Sequence, residues 1–195
     1  LAIESFRKSL DGKTYEWDGY IWFDIETNLS PPASVQIVLN KMKWDTVRKQ
    51  VSRRTDFQEL LDKAKYLNIN RGDLHYAEIL AQHVVDNSPC WHQECGAAAI
   101  LGSILRHQGR FVEALKVTDK YKDDNYSPIH ATRAATFCDL EEYEKAHESI
   151  SKANPEDYYV QAVIKRIDKA RPDLTHSRNL DCVPSLLLEI FKKRI

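Results

Sequence analysis

Gly72-Asp73-Leu74-His75-Tyr76-Ala77 returns along this chain as Gly109-Arg110-Phe111-Val112-Glu113-Ala114. It returns again, without its glycine, as Glu141-Glu142-Tyr143-Glu144-Lys145-Ala146. Each copy opens on a turn residue, sets a large apolar residue two positions on, and sets an alanine three further. The copies begin 37 and then 32 residues apart. A period of this size marks stacked helical hairpins. One helix pair cannot cover its own apolar face, whereas pairs laid side by side close a continuous core.

The flanking sequence supplies the rest of each pair. Phe57, Leu60, Leu61, Ala64 and Leu67 recur at helical spacing after Thr55 or Asp56, positions 68–73 make a turn, and Leu74, Ala77, Leu80, Ala81 and Val84 form a second helix. Ala98, Leu101 and Leu105 pair in the same way with Phe111, Ala114, Leu115 and Val117. Ala131, Ala134, Ala135 and Phe137 then pair with Tyr143, Ala146 and Ile150. Two further amphipathic helices, over 158–170 and 184–194, are expected to cap the stack, since terminal units need a polar outer face. The domain reading is an N-terminal segment over 1–54, three helix pairs over 55–155 and capping helices over 156–195. The fold class is mainly α, an antiparallel helix-pair solenoid with a small N-terminal β-hairpin element.

The best copy, Ala98-Ala99-Ile100-Leu101-Gly102-Ser103-Ile104-Leu105 followed by Gly109, Phe111 and Ala114, resembles the tetratricopeptide repeat. The likeness covers about 55–155. It departs at Ala64-Lys65 and Arg133-Ala134, where the family has Leu-Gly, and at Glu141, where it has lost the turn glycine. The resemblance implies that the small residues at Leu101-Gly102 let the second helix approach closely. It also implies that the first helix of each pair lines a concave groove holding a peptide or protein segment. Matching positions are Asp62, Tyr66 and Asn70, then Ser103, Arg106 and His107, then Ala135, Cys138 and Asp139. Family members that hold chaperone C-terminal carboxylates use Lys and Asn where this chain has Asp62 and Tyr66, so a carboxylate would meet a negative charge and that use is rejected.

The N-terminal segment reads differently. Residues 1–10 read as a short helix with Leu1, Phe6 and Leu10 on one face. Asp18-Gly19 between aromatic-rich runs is a hairpin signal, because a type I′ turn needs positive φ at both central residues. The run from Tyr20 to Thr27 is then the second strand. Ser30 is placed to cap the next helix, with a proline in its first turn. Positions 34–39 read as strand or helix, and 43–54 as a helix rich in Lys and Arg.

Composition sets limits. The 195 residues are 43 % hydrophobic and 29 % charged, with 6 Gly and 7 Pro, a globular and helix-leaning mixture. A formal net charge of -1 leaves no global field toward nucleic acid or anionic lipid. No apolar run approaches the roughly 20 residues of a membrane helix, so no membrane insertion is expected. The opening residues do not read as a signal segment, and a start at Leu1 rather than Met reads as a trimmed chain. A helical core of this size has no need of disulfides, so Cys90, Cys95, Cys138 and Cys182 are expected reduced and the protein intracellular and cytoplasmic.

Other motifs carry chemistry of their own. Phe23-Asp24-Ile25-Glu26-Thr27 resembles the first motif of the DEDD-type 3′–5′ exonucleases, whose Asp and Glu bind two divalent metals. That family needs two more acidic sites on a mixed sheet, and the helical sequence after Glu26 does not supply the strands. Cys90 and Cys95, with His83 and His92 near, have ligand chemistry, but no second cysteine pair follows in order. Neither a Gly-rich phosphate loop nor a nucleophile-elbow serine is present, so no catalytic residue, metal or cofactor is expected. The basic stretch Lys41, Lys43, Arg48, Lys49, Arg53 and Arg54 is opposed only by Asp45. It offers a contact for phosphates, and nucleic-acid binding is the alternative to peptide binding.

Overall fold

The computed structural model describes residues 6–17 and 21–174. The Asp18-Gly19 turn, the helix expected over 184–194 and Cys182 lie outside them. The described chain is mainly helical with a small antiparallel sheet at its N-terminal end, and it divides into two units, Leu1–Arg54 and Thr55–Ile195.

The first unit holds three strands, β1 (Phe6–Leu10), β2 (Lys13–Trp17) and β3 (Trp22–Asp24), in the order β1-β2-β3, followed by helix α1 (Ala33–Val51). A strand at Phe6–Leu10 corrects the helical reading of this stretch. The alternation of Phe6, Lys8 and Leu10 with Arg7 and Ser9 has the period of a strand. Leu10 pairs with Lys13 across Asp11 and Gly12, whose φ angles are 51° and 78°. The two-residue, positive-φ hairpin turn is therefore the first Asp-Gly of the chain. Trp17 pairs with Trp22, so four residues connect β2 to β3, and β3 stops at Asp24 rather than running to Thr27.

Helix α1 settles 34–39 as helix. Pro32 occupies its N-cap with no side-chain cap bond, so Ser30 does not cap it. Tyr15, Trp22 and Leu39 form the unit's core, with Phe6, Leu10, Trp17 and Val35 packed against it. Polar ends are tied as well. Trp22 Nε1 donates to Asn40 Oδ1 at 2.9 Å, and Lys8 Nζ donates to Thr46 Oγ1 at 3.1 Å.

The second unit contains α2 (Phe57–Ile69), α3 (Leu74–Asn87), α4 (Trp91–His107), α5 (Phe111–Asp119), α6 (Ser127–Asp139), α7 (Tyr143–Ile150) and α8 (Tyr158–Ala170). Leu74, Phe111 and Tyr143 are each the first residue of a second helix. Helix α4 packs on α2, α3, α5 and α6, and α6 packs on α5, α7 and α8. The seam between them is alanine-rich: Ala98 and Ala99 meet Tyr121 and Ile129, and Ala131, Ala134 and Ala135 share a cluster with Ala146, Ile150, Val163 and Ile167. Small side chains bring helix backbones close, and burial supplies the stabilisation.

The three reversals share one backbone device. Arg71, Gly109 and Glu141 have φ of 51°, 76° and 61°, and the next residue's N–H reaches back to the carbonyl of Leu67, Leu105 and Phe137 respectively. This is a left-handed helix stop that satisfies orphan carbonyls. In the first copy Arg71 takes the position that glycine takes in the second, so Gly72 lies one residue past it. Asp73 then caps α3, its Oδ1 accepting from Tyr76 N at 3.0 Å.

Candidate functional site

Alternate helices of the second unit are joined along one edge by a polar seam. Asn68 on α2 donates through Nδ2 to Ser103 Oγ on α4 at 3.1 Å, and its Oδ1 lies 2.9 Å from His107 Nδ1. Arg106 Nη2 lies 2.8 Å from His107 Nε2, and Arg106 Nη1 donates to Asp139 Oδ2 on α6 at 2.9 Å. Arg166 on α8 completes the run, with Nη1 on Asp139 Oδ1 at 2.6 Å and Nη2 on the Cys138 carbonyl at 3.0 Å.

A guanidinium can only donate, so His107 Nε2 is the acceptor and its proton resides on Nδ1, which donates to Asn68. The seam thus requires a neutral imidazole. Burial, then the charges of Arg106 and Arg71, push the His107 pKa down to about 4. Burial works to raise Asp139, but hydrogen bonds from Arg166 and Arg106 outweigh it and hold the carboxyl below its ordinary value. Partial desolvation lifts the Tyr159 phenol on α8 against the nearby Arg106 charge, although the side chain stays 39 % exposed.

These shifts predict a pH dependence. An unfolded chain protonates His107 near 6.5, the folded one near 4, so between those values the unfolded state holds more protons and stability falls as pH falls. The full linkage is about 3 kcal/mol, trimmed to about 2 kcal/mol by partial exposure. Below pH 4 the Asp139 contribution is lost in turn. Urea midpoints at pH 7.0 and 4.5 should move less for His107→Gln than for the parent chain. An equal movement would remove His107 as the titrating group.

The residues expected to line a groove are distributed unevenly. Ser103, Arg106 and His107 come together with Asp139 in the seam. Ala135 and Cys138, matched to the same face by resemblance, are buried among helices instead. Their burial fits the apolar side of α6 on which the spacing sets them, and departs from the groove lining that the resemblance implies, because α6 packs closely against α7 and α8. Asp62 is exposed and accepts from Gln58 one turn earlier. Asn70 donates to the Tyr66 carbonyl and closes the end of α2. Tyr66 is 61 % exposed, with the Lys63 ammonium 5.5 Å from its ring.

Asn68 and Arg166 were not singled out by sequence. Asn68 reads as a turn residue, yet it lies inside α2 and is buried. A signal did exist: Asn68–Ser103, Gln58–Gln93 and Arg106–Asp139 are complementary pairs separated by 35, 35 and 33 residues, within the 32- and 37-residue spacings of the recurring phrase.

The other motifs find structural roles. Lys43 is 2 % exposed, and its ammonium sits 3.7 Å from the Trp17 ring centroid and 4.1 Å from that of Trp44. It therefore does not belong to a solvent-facing basic patch. Lys41, Arg48, Lys49 and Arg53 are exposed and Arg54 is half-buried, while Arg48 pairs with Asp45 at 3.2 Å. The Asp24 carboxylate is buried; it pairs with Lys13 at 3.1 Å and accepts the backbone N–H groups of Glu26 and Thr27. Those bonds fold the turn after β3. Among the described residues, no three His, Cys, Asp or Glu side chains are placed to hold a metal, and Cys90, Cys95 and Cys138 are free thiols. No described helix is long and apolar enough to cross a membrane.

No protein-family model, curated protein or solved structure matches this chain.

Proposed function

We propose that this chain is a non-catalytic interaction scaffold resembling the tetratricopeptide repeats. Its helix pairs stack as a solenoid, and a peptide or protein segment lies along the face shared by α2, α4, α6 and α8. The observation that carries the reading is the polar seam, which takes side chains from each of these four helices in succession. Arg106 and His107, engaged on both sides, set the shape of that face and rigidify it. Contact area comes from exposed aromatics, Tyr66 on α2 and Tyr158 and Tyr159 on α8, which are rigid and amphipathic. Free thiols fit an intracellular, cytoplasmic setting.

The test is positional. A photo-crosslinking amino acid is placed at Tyr66, Tyr159 or Val112 of the whole chain, Val112 being 77 % exposed on the second helix α5. A captured partner segment should crosslink from Tyr66 and Tyr159 and not from Val112. Equal yield at Val112 would defeat the groove reading. The nucleic-acid alternative keeps Lys41, Arg48 and Lys49 on α1 and Arg53 just beyond its end, with Lys43 removed by burial. Steep loss of binding with rising salt would support it, and no binding to DNA or RNA at low salt would dispose of it.

A further inference from the structure

A second concavity lies among α6, α7 and the connection before α6. It is a cavity of about 380 Å³, inside the ~300–1,000 Å³ range of small-molecule sites. Helical spacing builds two of its walls. His130, Arg133 and Phe137 share one face of α6, and Lys145, Glu148 and Ser149 share one face of α7, with Lys152 just beyond its end. Lys122 and Asp123 form the third wall. That wall is fixed because His130 Nε2 donates to the Asp124 carbonyl at 2.7 Å.

Four cations thus converge on the cavity against two lining carboxylates, Asp123 and Glu148. The Arg133 guanidinium is a preset charge at the back, 12 % exposed and held by Leu115 O at 3.2 Å and Thr118 Oγ1 at 3.3 Å. It and the Lys145 ammonium sit 5.7 and 5.8 Å from the Phe137 ring centroid, so an aromatic face helps hold both cations here. Lys152 has no ion-pair or hydrogen-bond partner for its ammonium among the described residues.

At rest Asp119 and Glu142 offset the remaining charge. Lys122 lies 3.5 Å from Asp119, which also lies 3.5 Å from Arg133, and Lys145 lies 2.6 Å from Glu142. The two lysine pairs are exposed and three residues apart on the chain. Such pairs contribute about 0–1 kcal/mol, so both lysines can turn to a stronger acceptor. A phosphate monoester is that acceptor, with its near-double charge and three oxygens.

We infer that this cavity binds a small molecule carrying two or more phosphates. Cations on three walls suit a compact ligand with charge on several sides better than an extended chain passing through.

Isothermal titration of the whole chain with inorganic phosphate, pyrophosphate and inositol hexakisphosphate tests the proposal. Affinity should rise in that order. The double variant Lys145→Gln, Lys152→Gln should lose about tenfold or more, on the scale of charge-assisted hydrogen bonds. Both lysines are exposed, and unchanged circular dichroism would show the variant folded. Lys41→Gln, Lys49→Gln on α1 should bind as the parent does. Absence of heat at millimolar pyrophosphate and hexakisphosphate would overturn the proposal. So would equal affinity for the Lys145, Lys152 variant, or tighter binding of a phosphoserine peptide than of either small polyphosphate.

Discussion

Replacing Gly102 with valine is expected to lower the unfolding free energy by about 3 kcal/mol, at the upper end of ordinary overpacking. A Cβ at Gly102 would meet Thr118 Cγ2 on α5 at 2.9 Å and Thr132 Cγ2 on α6 at 3.1 Å. Neither methyl can swing aside cheaply. Thr118 is fully buried and donates to Ala114 O at 3.0 Å and Leu115 O at 3.1 Å, while Thr132 is buried and donates to Ala99 O at 3.3 Å. Rotating either hydroxyl away would leave a buried donor unsatisfied. Valine then adds two more methyls to the clash. Gly102→Ala should cost about 1 kcal/mol or less, because the helix propensity gained offsets much of the strain. Urea unfolding followed by circular dichroism measures both. A valine variant as stable as the parent would mean that α4 is not clamped between α5 and α6.

Asp139→Ala should cost about 2–3 kcal/mol, below the value for a fully buried ion pair because Arg166 is 43 % exposed. The loss does not come from the pair's attraction alone. Arg106, only 14 % exposed, and Arg166 would be left facing one another without the carboxylate between them. Asp139→Asn keeps one acceptor oxygen and should cost less. Adding Arg106→Leu to the alanine variant should recover part of the stability, since the stranded charge is then gone. If the two changes simply add, Arg106 and Asp139 are not coupled and the seam is not a working network.

Much of the second unit could be read directly. Apolar spacing located every helix from α2 to α8, and the Leu101-Gly102 pair indicated the close approach that the two threonines now make concrete. Two things escape a reading along single helices. Lys43 carries the signature of a solvated cation, and only the meeting of Trp17 and Trp44 around it makes burial tolerable. The seam was equally hidden. Arg106 and His107 look like groove donors when read along one helix, and their partners stand about a repeat away. The first strand was legible but misread. Five residues are too few to separate periods 2 and 3.6 by apolar positions alone, and the decisive mark was Asp11-Gly12 beside them.

The shared stop at Arg71, Gly109 and Glu141 bears on how such a chain can vary. A non-glycine residue there pays about 1–2 kcal/mol for its left-handed backbone, a sum the seam and core readily absorb. The geometry of each reversal is therefore encoded by which carbonyl waits at the end of the helix, and the letter at the corner is free to drift.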